Sequence, residues 1–245
     1  CYPITDWTRE FLGYVSEQSA PLDFFSWHLY SQTPDFVISV EKQTRELLNE
    51  FGFEMSESIL NEWNYVKDWN GDDWEYTLKS EKGIKGAAFT AAVMEASQSA
   101  PLDNLMYYDA RPCAMNGLFS TDLVTKVLKG YYPFYMFNKL YELGTQVKSE
   151  TDDEYHVFAC AAKGNGKYAV MITHFNNDDS APETEVKLTL HNIGINAPCR
   201  ISYYLLDDNH DCKLVREEKI CSSEAVSYLG MPLFSTYLVT FESAE

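Results

Sequence analysis

Hydrophobic positions along the first 142 residues fall into two alternating textures, helical periodicity and short apolar runs. Near the start, Trp7, Phe11, Tyr14 and Val15 share one helical face, and Asp6 can cap its first turn. The hexamer QSAPLD at 18–23 closes that helix and leads into FFSWHLY, a continuous apolar run of the kind a strand covered on both faces displays. The next helix is the clearest: Thr33 in the N-cap position, Pro34 as first helical residue, apolar Phe36, Val37, Val40, Leu47, Leu48 and Phe51, and Gly52 as stop. It delivers the chain to ESILNEW, a second strand. A loop rich in Trp, Asn, Gly and Asp follows, and then residues 83–99 (GIKGAAFTAAVMEASQS) predict a small-residue helix fit to lie close against a sheet. QSAPLD recurs at 98–103 and feeds NLMYYDA; chance reuse of a good helix stop accounts for the repeat equally well. A last helical stretch is expected at about 123–143.

Three helix-then-strand units in succession predict a parallel sheet, because parallel neighbours need long helical crossovers. From about Thr145 the pattern changes to short alternating runs divided by turn signals: YHVFACA, YAVMITHF, TEVKLTL, RISYYLL, KLVREEK and STYLVTF. In TEVKLTL, Val186, Leu188 and Leu190 face one way and the polar residues the other, as in a half-buried antiparallel strand. The expected fold class is therefore α/β plus all-β. An α/β unit at 1–143 precedes an antiparallel β-sandwich at 144–245.

Composition narrows the partners. With 245 residues, 45% hydrophobic, the chain can bury one large core or two moderate ones. A formal charge of −18 argues against a nucleic-acid backbone or an anionic membrane, both of which require a basic face. No run approaches the roughly 18 apolar residues of a membrane span. Opening at Cys1, directly into helix-like sequence, the chain reads as processed or excised from a longer protein. Its six cysteines show no CxxC pair; they read mostly as buried thiols, with a bridge among Cys199, Cys212 and Cys221 left open.

In parallel α/β architectures, ligands meet the C-terminal ends of strands. Here those ends read SWHLY, NEWN and YYDAR, which gather His28, Tyr30, Glu62, Trp63, Asn64, Tyr108 and Asp109. Aromatic surface with a few hydrogen-bonding groups suits a sugar, whose C–H face and hydroxyls want both. Each residue also has a plainer reading. His28 can be a satisfied core histidine, Asp109 and Arg111 a loop ion pair, and Trp63, Trp69 and Trp74 a cover for the sheet end. Glu62 is the exception, since an unpaired glutamate ending a buried strand costs too much without a task or a partner.

DFFSWHLY resembles the Ser-x-His-x-Tyr strand of the family 39 glycoside hydrolases, the β-xylosidase and α-L-iduronidase group, and ILNEWN resembles the strand bearing that family's nucleophilic glutamate. The resemblance implies a partial (β/α) TIM-type barrel, its C-terminal half, followed by a β-sandwich. It assigns Glu62 as nucleophile, His28 and Tyr30 as lining of the sugar subsite, and Trp63, Asn64, Tyr108 and Asp109 as further substrate-binding positions. MYYDARPCAMNGLFS departs from the family pattern. No Asn-Glu-Pro occurs in the chain, so the family's general acid/base motif is absent.

The implied protein is a retaining glycosidase of neutral glycosides, this chain supplying the nucleophile without the acid/base and inactive alone. Its partners are a carbohydrate substrate and the missing barrel half, as an N-terminal segment, separate chain or second copy. No cofactor and no metal are implied: His156, His174, His191 and His210 lack ligand spacing, and DDNHD at 207–211 reads as an acidic hairpin turn. The alternative from another class is a non-catalytic carbohydrate-binding or scaffolding module.

Overall fold

The computed structural model describes residues 2–153, 156–191, 198–220 and 225–243. The chain opens with α1 (Asp6–Glu17), β1 (Phe24–Ser31), α2 (Pro34–Glu50), β2 (Glu57–Tyr65), α3 (Gly71–Lys82), α4 (Ile84–Ser97), β3 (Asn104–Tyr107) and α5 (Tyr131–Tyr141). Strands β1, β2 and β3 form a parallel sheet in that order. Then come β4 (Thr145–Val147), β5 (Val157–Gly164), β6 (Lys167–His174), β7 (Thr184–Leu190), β8 (Cys199–Leu206), β9 (Lys213–Ile220), β10 (Ala225–Met231) and β11 (Ser235–Ser243). They make a six-stranded antiparallel sheet ordered β4-β5-β6-β11-β8-β9, faced by the two-stranded sheet β10-β7.

The helix expected to lie against a sheet lies between two. Every residue of α4 from Ile84 to Glu95 is buried. Ala88, Phe89, Ala92 and Val93 pack on Trp27, Leu29, Leu60, Trp63 and Tyr65 of the parallel sheet. On its other side Ile84, Ala87 and Ala91 meet Cys160, Ala162, Ala169, Met171 and Leu238 of the six-stranded sheet, with Met136 and Leu140 of α5. Alanines make this possible, because small side chains let both layers close on one helix axis, and Gly86 admits the Ser80–Glu81 backbone of α3, which a Cβ there would meet at 2.6 Å. Lys85 adds a polar tie: its Nζ donates to Tyr76 Oη (2.9 Å), the Asn177 carbonyl (2.8 Å) and Asp179 Oδ1 (2.7 Å). A buried ammonium with three acceptors is one whose desolvation is offset.

The two QSAPLD segments do perform the same task. Gln18 and Gln98 are the C-caps of α1 and α4, and each hexamer carries the chain to the start of a strand. Thr33, Pro34 and positive-φ Gly52 bound α2 as its pattern predicts, and Val186, Leu188 and Leu190 of β7 do face the sandwich core.

Several expectations need correction. Helix α1 is capped by Thr5, whose Oγ1 accepts from Thr8 N at 3.1 Å, and it buries Thr8 and Leu12; Trp7 and Tyr14 are exposed. The reason is that Leu12 is the residue that reaches Leu47 and Leu48 of α2. The run in β1 is covered on one face only: Trp27 and Leu29 are buried, while Phe24 stays 56% exposed. The loop expected after β2 contains α3, whose apolar positions are too sparse to announce it. The last helix starts only at Tyr131, and 108–130 is irregular apart from a Phe119–Val127 bridge. Strands β4 and β10 were not expected. Cys113, Cys160, Cys199 and Cys212 are free thiols; Cys1 and Cys221 lie outside the described residues.

Three carboxyl groups are buried around α4 and its neighbours. Glu41 accepts from Ser97 Oγ and Glu95 from Thr173 Oγ1, both at 2.9 Å, while neither oxygen of Glu81 has a hydrogen-bond partner. Burial pushes Glu41 up to about 7, Glu81 up to about 8 and Glu95 well above the ordinary carboxyl range. The folded chain therefore holds protons that the unfolded chain has released above pH 4.5, so stability is full below that pH and falls as pH rises through the folded values. Thermal melts should show the midpoint dropping from pH 5 to pH 8, by about 2–4 °C for each kcal/mol lost. Glu81→Gln should flatten the upper part of that decline. A wild-type midpoint unchanged across this range would contradict the burial argument.

Candidate active site

The strand register decides which way Glu62 points. In β1 the residues Trp27 and Leu29 face the helices, while Ser26, His28 and Tyr30 face the open side. In β2, Ser58 and Leu60 face the helices, and strict alternation would send Glu62 the same way. A bulge intervenes: Trp27 pairs with Leu60, but His28 pairs with Glu62, leaving Asn61 as the extra residue. The parity of β2 flips there, so Trp63 and Tyr65 enter the core and Glu62 emerges beside His28. Bulges re-aim side chains in this way, and they recur next to active sites.

Glu62 keeps 27% of its side chain exposed. Tyr30 Oη donates to Oε1 at 2.5 Å, and His28 Nδ1 lies 3.5 Å from Oε2. Burial first, and then the bond to Glu62, raise the Tyr30 hydroxyl far above its ordinary pKa, so it remains a donor. Oε1 is thus fixed by Tyr30 and Oε2 faces the His28 ring, both on β1, while the group stays open. No Arg or Lys ion pair to Glu62 occurs among the described residues.

Of the expected site residues, the structure brings His28, Tyr30 and Glu62 together and leaves Tyr108 half-buried at the end of β2, its N donating to the Trp63 carbonyl (3.1 Å) and its Oη 3.4 Å from Arg111 Nη2. It does not bring Trp63, Asn64 or Asp109 to the open side. Trp63 is 1% exposed, edge-on to Tyr107 and packed on Phe89. Asn64, also 1% exposed, donates through Nδ2 to Tyr107 Oη (3.1 Å), the Tyr108 carbonyl (2.8 Å) and the Met115 carbonyl (3.3 Å), and its Oδ1 accepts from Tyr65 N (2.8 Å). It fastens the segment after β3 over the end of β2.

Asp109 is occupied in the same sense. Its Oδ2 accepts from Arg111 Nε (2.9 Å) and Nη2 (2.7 Å), and its Oδ1 from Arg111 N (2.8 Å). Burial alone would raise this carboxyl, but the Arg111 bonds outweigh it and hold the group below its ordinary range. That favours a loop pin over a proton donor. The loop ion pair weighed for Asp109 and Arg111 is what forms.

Sequence reasoning passed over Tyr107 and Asn61. Tyr107 Oη accepts from Asn64 and from Gly117 N (3.3 Å), which organises the loop; Asn61 is the bulge residue. Trp69, in the loop after β2, is 51% exposed, stacks on Trp74 (5.4 Å between centroids) and meets Tyr30 edge-on (4.9 Å). Among the described residues, no three His, Cys, Asp or Glu side chains group to hold a metal ion.

The architecture, a parallel β/α segment followed by an antiparallel β-sheet domain, matches part of a (β/α) barrel with a β-sandwich, and solved glycosidase structures share it. No family model matches the sequence, and neither does any curated protein. A glucosidase from Croceicoccus marinus superposes with TM-score 0.78 at 17% identity over 100% of this chain and 59% of its own. A GH39 enzyme from Xanthomonas axonopodis pv. citri gives 0.71 at 12% identity over 97% of this chain and 58% of its own. A monomeric β-xylosidase from Caulobacter crescentus gives 0.71 at 13% identity over 98% and 59%. The chain thus spans less than two thirds of the length of each.

Support residues and open residues should separate in denaturation. Asn64→Ala strands Tyr65 N and two carbonyls in a buried setting, and each orphaned group costs about 1–3 kcal/mol, so a loss of at least about 2 kcal/mol is expected. His28→Ala, on the open face, should cost less than about 1 kcal/mol. The reverse order, read from urea midpoints, would mean that the faces are wrongly assigned.

Proposed function

We propose that this chain is the nucleophile-bearing part of a retaining glycoside hydrolase acting on neutral β-linked glycosides. The observation that carries the reading is Glu62, turned out of the core at a strand's C-terminal end, with Oε1 held by Tyr30, Oε2 facing His28, and no Arg or Lys paired to it among the described residues. An ionised carboxylate so placed attacks the anomeric carbon; the bond to the leaving oxygen breaks as that oxygen takes a proton from an acid, and water then releases the sugar from the ester. Tyr30 donates to Oε1 and restrains the carboxylate. His28 lines the sugar position beside it. Tyr108 is a further lining residue in this reading.

The second carboxyl group must stand about 5–5.5 Å from Glu62 and hold a proton. Asp109 does not suit, since Arg111 keeps it ionised, and Glu81 is sealed in the interior. The acid/base therefore comes from the polypeptide that completes the barrel. In this reading residues 1–143 are its C-terminal half and 144–245 the sandwich. Three features fit such a partner: β1 has one edge without a pairing strand among the described residues, the open sheet face carries Phe24 and Met106, and α1 exposes Trp7 and Tyr14. Neutral xylosides are favoured over iduronides because Arg111 is spent on Asp109 and the chain carries −18.

The isolated chain should give no turnover of an aryl β-xyloside. Joined to the completing barrel polypeptide, it should be labelled at Glu62 by a 2-deoxy-2-fluoro xyloside, and Glu62→Gln should abolish both label and hydrolysis. Hydrolysis by the isolated chain that Glu62→Gln removes would place a second working carboxyl here. Sugar binding that survives Glu62→Gln, with no label in the completed protein, would favour a non-catalytic binding module instead.

A further inference from the structure

Resting on the carbohydrate reading of the strand ends, we propose that Trp69 is the stacking platform for a second sugar unit, so that the site selects a neutral oligosaccharide of at least two residues. The indole is an exposed apolar surface that nonetheless cannot swing freely. Trp74 stacks on it at 24° between planes and the Tyr30 ring meets it near-perpendicular at 81°, leaving half of the residue open to solvent.

The loop that carries it is tied at several points. Lys67 N donates to Thr77 Oγ1 (2.9 Å), Thr77 Oγ1 donates to the Asp73 carbonyl (2.9 Å), and Asp68 Oδ1 accepts from Asn70 N (3.0 Å). Gln32 Nε2 donates to the Lys67 carbonyl at 3.1 Å, and Lys67 pairs with Asp73 at 2.9 Å. A platform held this way loses little conformational freedom on binding, which is where rigid aromatic surfaces gain affinity. The apolar face of a pyranose ring is a fitting occupant for it, and the exposed Asp68 and Asn70 beside it offer partners for hydroxyls.

The distance from the reacting group sets which sugar sits there. Tyr30 stands between Trp69 and Glu62, touching the indole with its ring and the carboxylate with its hydroxyl. The ring attacked by Glu62 occupies the Tyr30 and His28 end. Trp69 is displaced from that position by the span of the tyrosine, so it meets the neighbouring ring of the same chain of sugars. A monosaccharide glycoside reaches Glu62 without touching Trp69.

Isothermal titration of the full 245-residue chain with xylobiose and with methyl β-xyloside tests this. Xylobiose should bind the wild type more tightly than the methyl glycoside. Trp69→Ala should weaken xylobiose about tenfold and leave the methyl glycoside within about twofold, since stacking is worth on the order of one decade. Trp69→Phe, which keeps an aromatic surface, should retain most of the xylobiose affinity and guards against a merely unfolded loop. Glu62→Gln should keep the dependence on Trp69. Equal binding of xylobiose by wild type and Trp69→Ala, or no preference of the wild type for xylobiose, would overturn the platform. Failure of the fluoroglycoside to label Glu62 would instead sink the hydrolase reading and leave the Trp69 result standing.

Discussion

One helix has to satisfy two sheets at once, and most of the molecule follows from that constraint. Helix α4 packs the parallel sheet on one side and the six-stranded sheet on the other, so its residues must be apolar or internally paired all the way round and small where the layers approach. A helix buried on all sides loses the polar stripe that most surface helices carry. What remains polar in it is accounted for individually: Lys85 by three acceptors, Glu95 by Thr173 and by a raised pKa that keeps it neutral. The two halves of the chain are consequently locked through a shared core, and the strand ends of β1 and β2 rest on a rigid base.

On that base a single inserted residue decides the chemistry available. Without the bulge at Asn61, the period of two would place Glu62 with Leu60 against the helices, where an unpaired carboxylate is untenable, and would turn Trp63 outward. With it, a carboxylate and an imidazole become cross-strand neighbours on the open face while the tryptophan fills the core. The residues on either side then divide their labour. Tyr30 and His28 address Glu62 directly; Asn64 and Tyr107 hold the segment after β3 in place; Asp109 and Arg111 pin the loop beyond it.

The open face is also where the fold is least self-sufficient. Parallel strands are ordinarily covered on both faces, and here one face of β1–β2–β3 meets helices, α2, α3 and α4 among them, while the other carries Phe24, Met106 and the candidate site. The chain spans 58–59% of the barrel-and-sandwich structures it resembles.

The sequence by itself determined the order of textures, three helix-then-strand units and then antiparallel strands, because side-chain periodicity is local and QSAPLD and Thr33-Pro34 mark boundaries within a few residues. It also singled out Glu62, since a charged residue ending an apolar run stands out in one dimension. Local pattern could not distinguish Trp63 and Asn64, buried supports, from Trp69, open and braced, because all three sit within one strand-end stretch of mixed polarity. The Asp109–Arg111 pair, two residues apart, was within its reach, but it could not place Trp7 and Tyr14 outside or α4 between two layers. Those outcomes depend on which distant segments fill which side: a one-residue shift in pairing reverses every side chain that follows it, and that shift exists only once β1 and β2 are laid side by side.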